Sequence, residues 1–175
     1  FVTRHASLAD AIASLTVQRV QTTIERSAQA LRDLGIDHPR LALAALNPHG
    51  GEHGLLGNEE QRILTPAVHN AQAAGIDVTG PVPADAVFSQ ALHGSYDAVV
   101  SLYHDQGHIA TKTVDFERTV SFTLGLPFLR TSVDHGTGFD IAGRMIASSV
   151  SMETAIRTAA RYAVQYKLRH SGEGG

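Results

Sequence analysis

The most constraining feature of the sequence is a short apolar run at 97–102 that ends abruptly in polar, ligand-capable side chains. The run is rich in β-branched valine, which is typical of a buried strand. His104 and Asp105 follow it closely. Because ligands of open α/β sheets bind beyond the carboxyl ends of strands, this junction is a candidate site for a substrate or a metal. A plain strand-to-helix turn, with Asp105 capping the next helix, fits the same residues.

Two further junctions repeat this pattern. His5 follows a strand-like segment at the start of the chain, and His49 follows an apolar strand predicted at 40–46. Three imidazoles at separate strand ends can form a divalent-metal site, although a single histidine at a strand end is usually structural. His49 and His53 form a competing pair at i, i+4 spacing. That spacing chelates a metal only on a helix, and the four glycines of the segment 47–57 argue against a helix there.

Segments of strand and helix character alternate along the chain, which predicts an α/β fold: three α/β/α layers around a largely parallel sheet. The prolines of GPVPAD, 80–85, predict that regular strand pairing stops there. Asp85 is interpreted either as a helix cap or as a charged group at a cleft. The predicted strands are 1–4, 40–46, 76–78, 97–102, 120–124 and 127–132. The predicted helices are 8–15, 17–34, 59–74, 85–88 and 152–167, with caps at Ser7, Thr16, Asn58 and Ser151, and 108–112 is predicted as a short helix or a turn.

Composition excludes several classes of protein. The net charge of -3 comes without a basic block, so the sequence does not favour nucleic-acid binding. No apolar run reaches the roughly 20 residues of a membrane helix, and no signal peptide is visible. The absence of cysteine fits a cytoplasmic enzyme and leaves His, Asp and Glu as metal ligands. We expect 1–175 to be a single α/β unit, the C-terminal portion of a longer two-domain enzyme, with a disordered tail at 171–175.

Two basic side chains lie nearest to these junctions in sequence, Lys112 and Arg130. An arginine binds a phosphate or a carboxylate through two parallel hydrogen bonds, so an anionic ligand is expected there. Ordinary surface ion pairing is the alternative.

Five motifs occur in one order along the chain: NPHGGEHG, GPVPAD, YHDQGH, TLGLPFLRTSVDHGT and DIAG. Together they resemble the 4-hydroxythreonine-4-phosphate dehydrogenase family of vitamin B6 biosynthesis, from about His5 to the last helix. The resemblance implies a fold like that of the isocitrate and isopropylmalate dehydrogenases. It also implies a homodimer whose active site lies in a cleft between two α/β/α domains.

The resemblance also implies roles for individual residues. The segment DHGTGFDIAG is similar to the loop of isopropylmalate dehydrogenases that holds the adenosine part of the dinucleotide, and the chain has no GxGxxG motif. The implied metal ligands, for zinc, magnesium or cobalt and shared across the dimer interface, are His5, His49 and His104. The implied catalytic residues are Asp85, Asp105 and Lys112; those for the substrate are Lys112, Ser121 and Arg130; those for NAD or NADP are Asp134, His135, Gly136, Thr137 and Asp140.

The implied activity is metal-dependent, NAD(P)-linked oxidation and decarboxylation of 4-phosphooxy-threonine in pyridoxal phosphate biosynthesis. Ser121 stands where the vitamin B6 enzymes have an asparagine, and His108 is more similar to related branches of the family. Those branches oxidise threonate or erythronate 4-phosphate or aromatic cis-dihydrodiols, which are the alternative substrates. A further alternative is a non-catalytic metal-binding or dimerisation domain. The expected partners are a small phosphorylated hydroxy acid and a second copy of the chain, with no nucleic acid and no membrane.

Overall fold

The computed structural model describes residues 1–170, apart from the side chain of His170; the tail at 171–175 lies outside the described residues. Contacts within the chain divide it into two compact units. Unit 1 contains 1–32 and 36–110, and unit 2 contains 33–35 and the chain from 111 onward. The prediction that 1–175 is a single unit stays a prediction, and each unit is described by itself.

Unit 1 contains a three-stranded parallel sheet in the order β2-β1-β3, with Leu41 opposite both Val78 and Ala98. Its elements are α1 (Leu8–Ala13), α2 (Val17–Asp33), β1 (Leu41–Ala44), α3 (Thr65–Ala73, entered through a π-helical turn at Glu60–Leu64), β2 (Val78–Val82), α4 (Ala84–Leu92), β3 (Ala98–Val100) and α5 (His104–Val114), whose last turn belongs to unit 2.

Helices cover both faces of this sheet, which confirms the α/β fold class. Leu41 and Leu43 of β1 pack into one core cluster with Ile24 of α2 and Val68 of α3. The alternate residues, Ala42 and Ala44, face the other way and pack against Val87 of α4. The central strand is therefore buried on both sides, as an uninterrupted apolar run predicts.

The pairing of β2 loses its regular register at the prolines of 80–85, as predicted, but it does not end there. β2 continues through Pro81 to Val82, whose carbonyl accepts a hydrogen bond from the Ala45 amide. The pairing is possible because the register shifts between Ala42 and Ala44, so that a residue without an N–H lies where the ladder is already irregular. At Gly80 a Cβ would lie 2.7 Å from the Leu43 carbonyl oxygen, so only glycine fits there.

Several helix boundaries also differ from the predicted ones. The helix predicted at 85–88 and the short helix or turn predicted at 108–112 belong to the longer α4 and α5. Asp85 and Asp105 lie in the first turns of these helices and do not cap them, since Pro83 precedes α4 and α5 already begins at His104. Ser151 lies inside the last helix and does not cap it. The predicted cap at Thr16 is confirmed, because its Oγ1 accepts a hydrogen bond from the Arg19 amide at 3.1 Å.

Unit 2 consists of an antiparallel strand pair covered by the last helix. Its elements are β4 (Val120–Thr123), β5 (Arg130–Val133), a short 3-10 turn (Phe139–Ile141) and α6 (Val150–His170). Tyr166 of α6 is 1% exposed, and its hydroxyl donates a hydrogen bond to the Leu126 carbonyl. In the part of the chain that the structure describes, no helix is long and apolar enough to cross a bilayer.

Candidate functional site

Two of the three predicted metal ligands, His5 and His104, line one cavity of about 430 Å³ in unit 1. His5 reaches this position because the start of the chain runs alongside the end of β3. The amides of Val2 and Thr3 donate hydrogen bonds to the carbonyls of Ser101 and Leu102 at 2.8 and 3.1 Å. The ring centroids of His5 and His104 are 5.8 Å apart. Two imidazoles that share one ion through metal–nitrogen bonds of ~2.0–2.1 Å have ring centres about 5 Å apart, so the observed separation is near that of a ligand pair.

Asp105 orients His104. Its Oδ1 lies 2.7 Å from Nδ1 of His104, so this nitrogen donates to the carboxylate and Nε2 is the ring nitrogen left for a metal. A carboxylate behind a liganding imidazole is the usual arrangement in metal sites, because it fixes the tautomer and the direction of the ring. The structure therefore gives Asp105 a contact with the predicted metal ligand itself.

Gln106 is a site residue that the sequence analysis missed. Its Oε1 accepts a hydrogen bond from the Leu102 amide at 2.7 Å, and its Nε2 donates one to the Ala45 carbonyl at 2.8 Å. The buried amide thus joins the carboxyl ends of β1 and β3, beside His104. The only sequence signal is an uncharged polar residue next to the candidate ligands, and its partners are remote in sequence.

His108 lies one helical turn after His104, and the two rings are 4.1 Å apart. The His108 ring also stacks on Phe1, with centroids 4.8 Å apart and planes inclined by 12°. Gly107 makes this stack possible, since a Cβ there would lie 2.5 Å from the Phe1 ring. His108 therefore supports the ring of a predicted ligand by stacking.

The third predicted ligand, His49, lies on a separate loop after β1. Backbone from His49 to His53 is left-handed, with φ from 43° to 80°, so the His49–His53 pair does not lie on an α-helix, as its glycines predict. Glu60, 4% exposed, fixes the start of this loop by accepting hydrogen bonds from the amides of Leu46 and Asn47 at 2.9 and 2.7 Å. Among residues 1–170, no three His, Cys, Asp or Glu side chains come together as a metal site.

The remaining predicted catalytic residue, Asp85, is exposed in the first turn of α4, directly after β2. Arg130 opens β5 in unit 2 and donates a hydrogen bond from Nη1 to Oγ1 of Thr123 at 3.0 Å. Its guanidinium has five N–H donors, so this bond leaves others for an anionic ligand.

The predicted substrate residues Lys112 and Ser121 meet at Asp134 in unit 2. Lys112 Nζ donates a hydrogen bond to the Asp134 carbonyl oxygen at 2.7 Å and lies 3.2 Å from its Oδ2. The Ser121 hydroxyl donates to Oδ1 of the same carboxylate at 2.6 Å. Asp134 was assigned by the resemblance to the dinucleotide, whereas its contacts here are with residues assigned to the substrate.

The loop that follows Asp134 lines a second cavity, of about 560 Å³, within unit 2. His135, Gly136 and Thr137 form one side of it, and Ile141 and Met145 add apolar surface. The volume of this cavity and its mixture of polar and apolar lining residues are typical of sites for small molecules and cofactors. The predicted dinucleotide residue Asp140 lies in the adjoining 3-10 turn.

Comparisons with known proteins point to one protein family. The model of the family described as "Pyridoxal phosphate biosynthetic protein PdxA" matches residues 1–159. Proteins named "Putative D-threonate 4-phosphate dehydrogenase" from Fusobacterium nucleatum and Symbiobacterium thermophilum are 59% and 60% identical over 167 residues, which is 95% of this chain and 50% of theirs. The chain therefore spans about half the length of the curated relatives it matches.

Solved structures give a similar result. A 4-hydroxythreonine-4-phosphate dehydrogenase from Klebsiella pneumoniae superimposes with a TM-score of 0.84 at 47% identity, over 93% of this chain and 49% of its own. A terephthalate 1,2-cis-dihydrodiol dehydrogenase from Burkholderia xenovorans gives a TM-score of 0.70 at 34% identity, over 94% of this chain and 50% of its own.

Proposed function

The chain belongs to the pyridoxal phosphate biosynthetic protein PdxA family, and on that premise we propose that it is part of a metal-dependent, NAD(P)-linked dehydrogenase of a 4-phosphorylated, four-carbon hydroxy acid. The favoured substrate is D-threonate 4-phosphate. The observation that carries this choice is the 59–60% identity to relatives of that name, against 47% to a solved 4-hydroxythreonine-4-phosphate dehydrogenase.

The residues of unit 1 would hold the metal. His5 and His104 have the spacing of two imidazole ligands, and Asp105 keeps Nε2 of His104 available. His49 is the third proposed ligand, brought to the site by a second copy of the chain in a homodimer. When bound, the metal would supply Lewis-acid polarisation of the substrate hydroxyl, and NAD(P) would be the hydride acceptor. The proposed role of Asp105 as a proton relay is compatible with its exposure, because its side chain is 70% exposed.

The residues of unit 2 would bind an anionic group of the substrate and the dinucleotide. Lys112 and Arg130 supply fixed positive charge for the phosphate or the carboxylate of the substrate. The loop with His135, Gly136 and Thr137 would hold the dinucleotide against the apolar side of its cavity, with Asp140 nearby.

Asp85 is proposed as an acidic residue beside the metal.

The closest chemical competitor is 4-phosphooxy-threonine, which has an ammonium group at C2 where threonate has a hydroxyl. Two names favour this acid. The solved Klebsiella structure is named as a 4-hydroxythreonine-4-phosphate dehydrogenase, and the family model that matches this chain is named for pyridoxal phosphate biosynthesis. Ser121 favours the hydroxy acid, since it stands where the resemblance places an asparagine in the vitamin B6 enzymes.

A substrate panel decides between these acids. The purified full-length protein is incubated with NAD or NADP, with zinc, magnesium or cobalt, and with D-threonate, D-erythronate or 4-hydroxy-L-threonine 4-phosphate. We expect the highest kcat/KM for D-threonate 4-phosphate, measured as reduced nicotinamide, together with release of carbon dioxide. A preference for 4-phosphooxy-threonine would overturn the substrate assignment, and no oxidation of any acid under all conditions would overturn the proposed function.

A further inference from the structure

Asp134 contacts two side chains, those of Lys112 and Ser121, that the proposed function assigns to substrate binding. Lys112 comes from the end of α5 and Ser121 from β4, and the two lie nine positions apart in sequence. Asp134 follows β5 directly, and its side chain is only 14% exposed. A largely buried carboxylate that joins two ligand-facing groups from different elements constrains both of them.

The contacts with Lys112 limit how its ammonium group can turn. Of three N–H donors, one is given to the Asp134 carbonyl at 2.7 Å, and another is within reach of Oδ2 at 3.2 Å. The centre of the Phe116 ring lies 5.5 Å from Nζ, within the distance of a cation–π contact. The long lysine side chain is therefore held in one position before a ligand arrives, which lowers the entropy cost of binding.

The contact with Ser121 fixes the direction of a hydrogen bond. A serine hydroxyl has one proton, and here it is given to Oδ1 of Asp134 at 2.6 Å. Toward a ligand, Ser121 can then only accept. An acceptor at this position matches a substrate group that donates, such as a hydroxyl, whereas an asparagine side chain would also offer N–H donors.

We propose that Asp134 is the positioning residue of the substrate subsite in unit 2: it holds Lys112 ready for the anionic group and makes Ser121 an acceptor for a hydroxyl of the substrate. This inference rests on the proposed function for the identity of the ligand. The positioning itself can be measured without any turnover.

The chain has only two lysines, Lys112 and Lys167, so competitive amine labelling has an internal reference. The full-length protein is treated with a trace of acetic anhydride, and the labelled fraction of each lysine-containing peptide is measured by mass spectrometry. We expect Lys112 to react more slowly than exposed Lys167. In Asp134→Asn the rate at Lys112, relative to Lys167, should rise about threefold or more, because the charged partner is lost.

Asp115→Asn is the matched control. Asp115 is also in unit 2 and pairs with Arg118 at 3.1 Å, so the same substitution there should leave Lys112 labelling unchanged. Thermal unfolding of both variants reports any general loss of structure. An unchanged Lys112 rate in folded Asp134→Asn, or an equal rise in Asp115→Asn, would overturn the positioning.

Kinetics test the consequence for the substrate. Asp134→Asn should lower kcat/KM for D-threonate 4-phosphate about tenfold, chiefly through KM, while zinc affinity at the histidines of unit 1 stays unchanged. Asp134→Glu, which keeps the charge, should recover part of the loss. A wild-type protein that oxidises none of the acids refutes the proposed function and leaves the labelling result to decide the positioning. Unchanged kinetics in Asp134→Asn, with an active wild type, overturn the inference.

Discussion

Gln106→Ala should destabilise unit 1 because one buried amide satisfies two backbone groups at the ends of different strands. The side chain is 9% exposed and bonds the Leu102 amide at 2.7 Å and the Ala45 carbonyl at 2.8 Å. Alanine leaves both groups buried without these partners, at about 1–3 kcal/mol for each group. With water allowed to replace part of the loss, we expect the free energy of unfolding to fall by about 2–4 kcal/mol.

Urea unfolding of the purified protein, followed by far-UV circular dichroism, measures this loss. Gln72→Ala is the control, since Gln72 is exposed and its Nε2 donates one hydrogen bond of 2.8 Å to the Val78 carbonyl. It should cost about 1 kcal/mol or less. A loss in Gln106→Ala that is no larger than in Gln72→Ala would refute the conclusion that this amide joins the ends of β1 and β3.

Three further predictions follow from the contacts within unit 1. Hydrogen bonds from Arg40 hold the pKa of Asp97 below its ordinary value, so the stabilisation is present above the ordinary Asp pKa and is lost as the pH falls through the folded-state value. Asp97→Asn should thus cost about 1 kcal/mol at neutral pH and progressively less below about pH 4, measured by urea unfolding across pH; a constant difference would contradict the ion pair. Gly80→Ala should lower the melting temperature by about 5–10 °C, because its Cβ would lie 2.7 Å from the Leu43 carbonyl oxygen, and an unchanged melting temperature would show that β2 does not approach β1 so closely. Glu60→Ala should destabilise by about 2–4 kcal/mol in the same urea assay, since two amides at the end of β1 lose their acceptor, and a loss below about 0.5 kcal/mol would refute that anchoring.

Much of the fold could be predicted from local patterns. The apolar run at 40–46 gave a strand buried on both faces, and the helical spacing after Thr16 gave α2 with its cap. The pairing of β2 through Pro81 could not be predicted, because it depends on a register shift in the neighbouring strand. Strand direction in unit 2 was missed for a similar reason: β4 and β5 form a separate antiparallel pair, whereas the alternation of strands and helices predicted a largely parallel sheet.

The candidate site, like the fold, could be predicted from the sequence only in part. Residue types and motifs pointed to His5 and His104, which follow strand ends, and to Lys112, one of the two basic residues nearest to these junctions in sequence. Gln106 and Asp134 were missed as supporting residues because their function lies in contacts with groups distant in sequence. The structure adds the hydrogen bonds that orient the ligand-facing groups, and these bonds are what make the proposed chemistry testable residue by residue.

The most direct test of the account measures oxidation of D-threonate 4-phosphate in the full-length protein, in His104→Ala and in His69→Ala, with and without a chelator. His69 is exposed on α3 and serves as the matched histidine control. We expect wild type and His69→Ala to be active with metal and inactive after chelation. His104→Ala should lose tight divalent-metal binding and about a hundredfold or more of kcat/KM. Full activity and unchanged metal affinity in His104→Ala would contradict the assignment of the histidines of unit 1 to a catalytic metal.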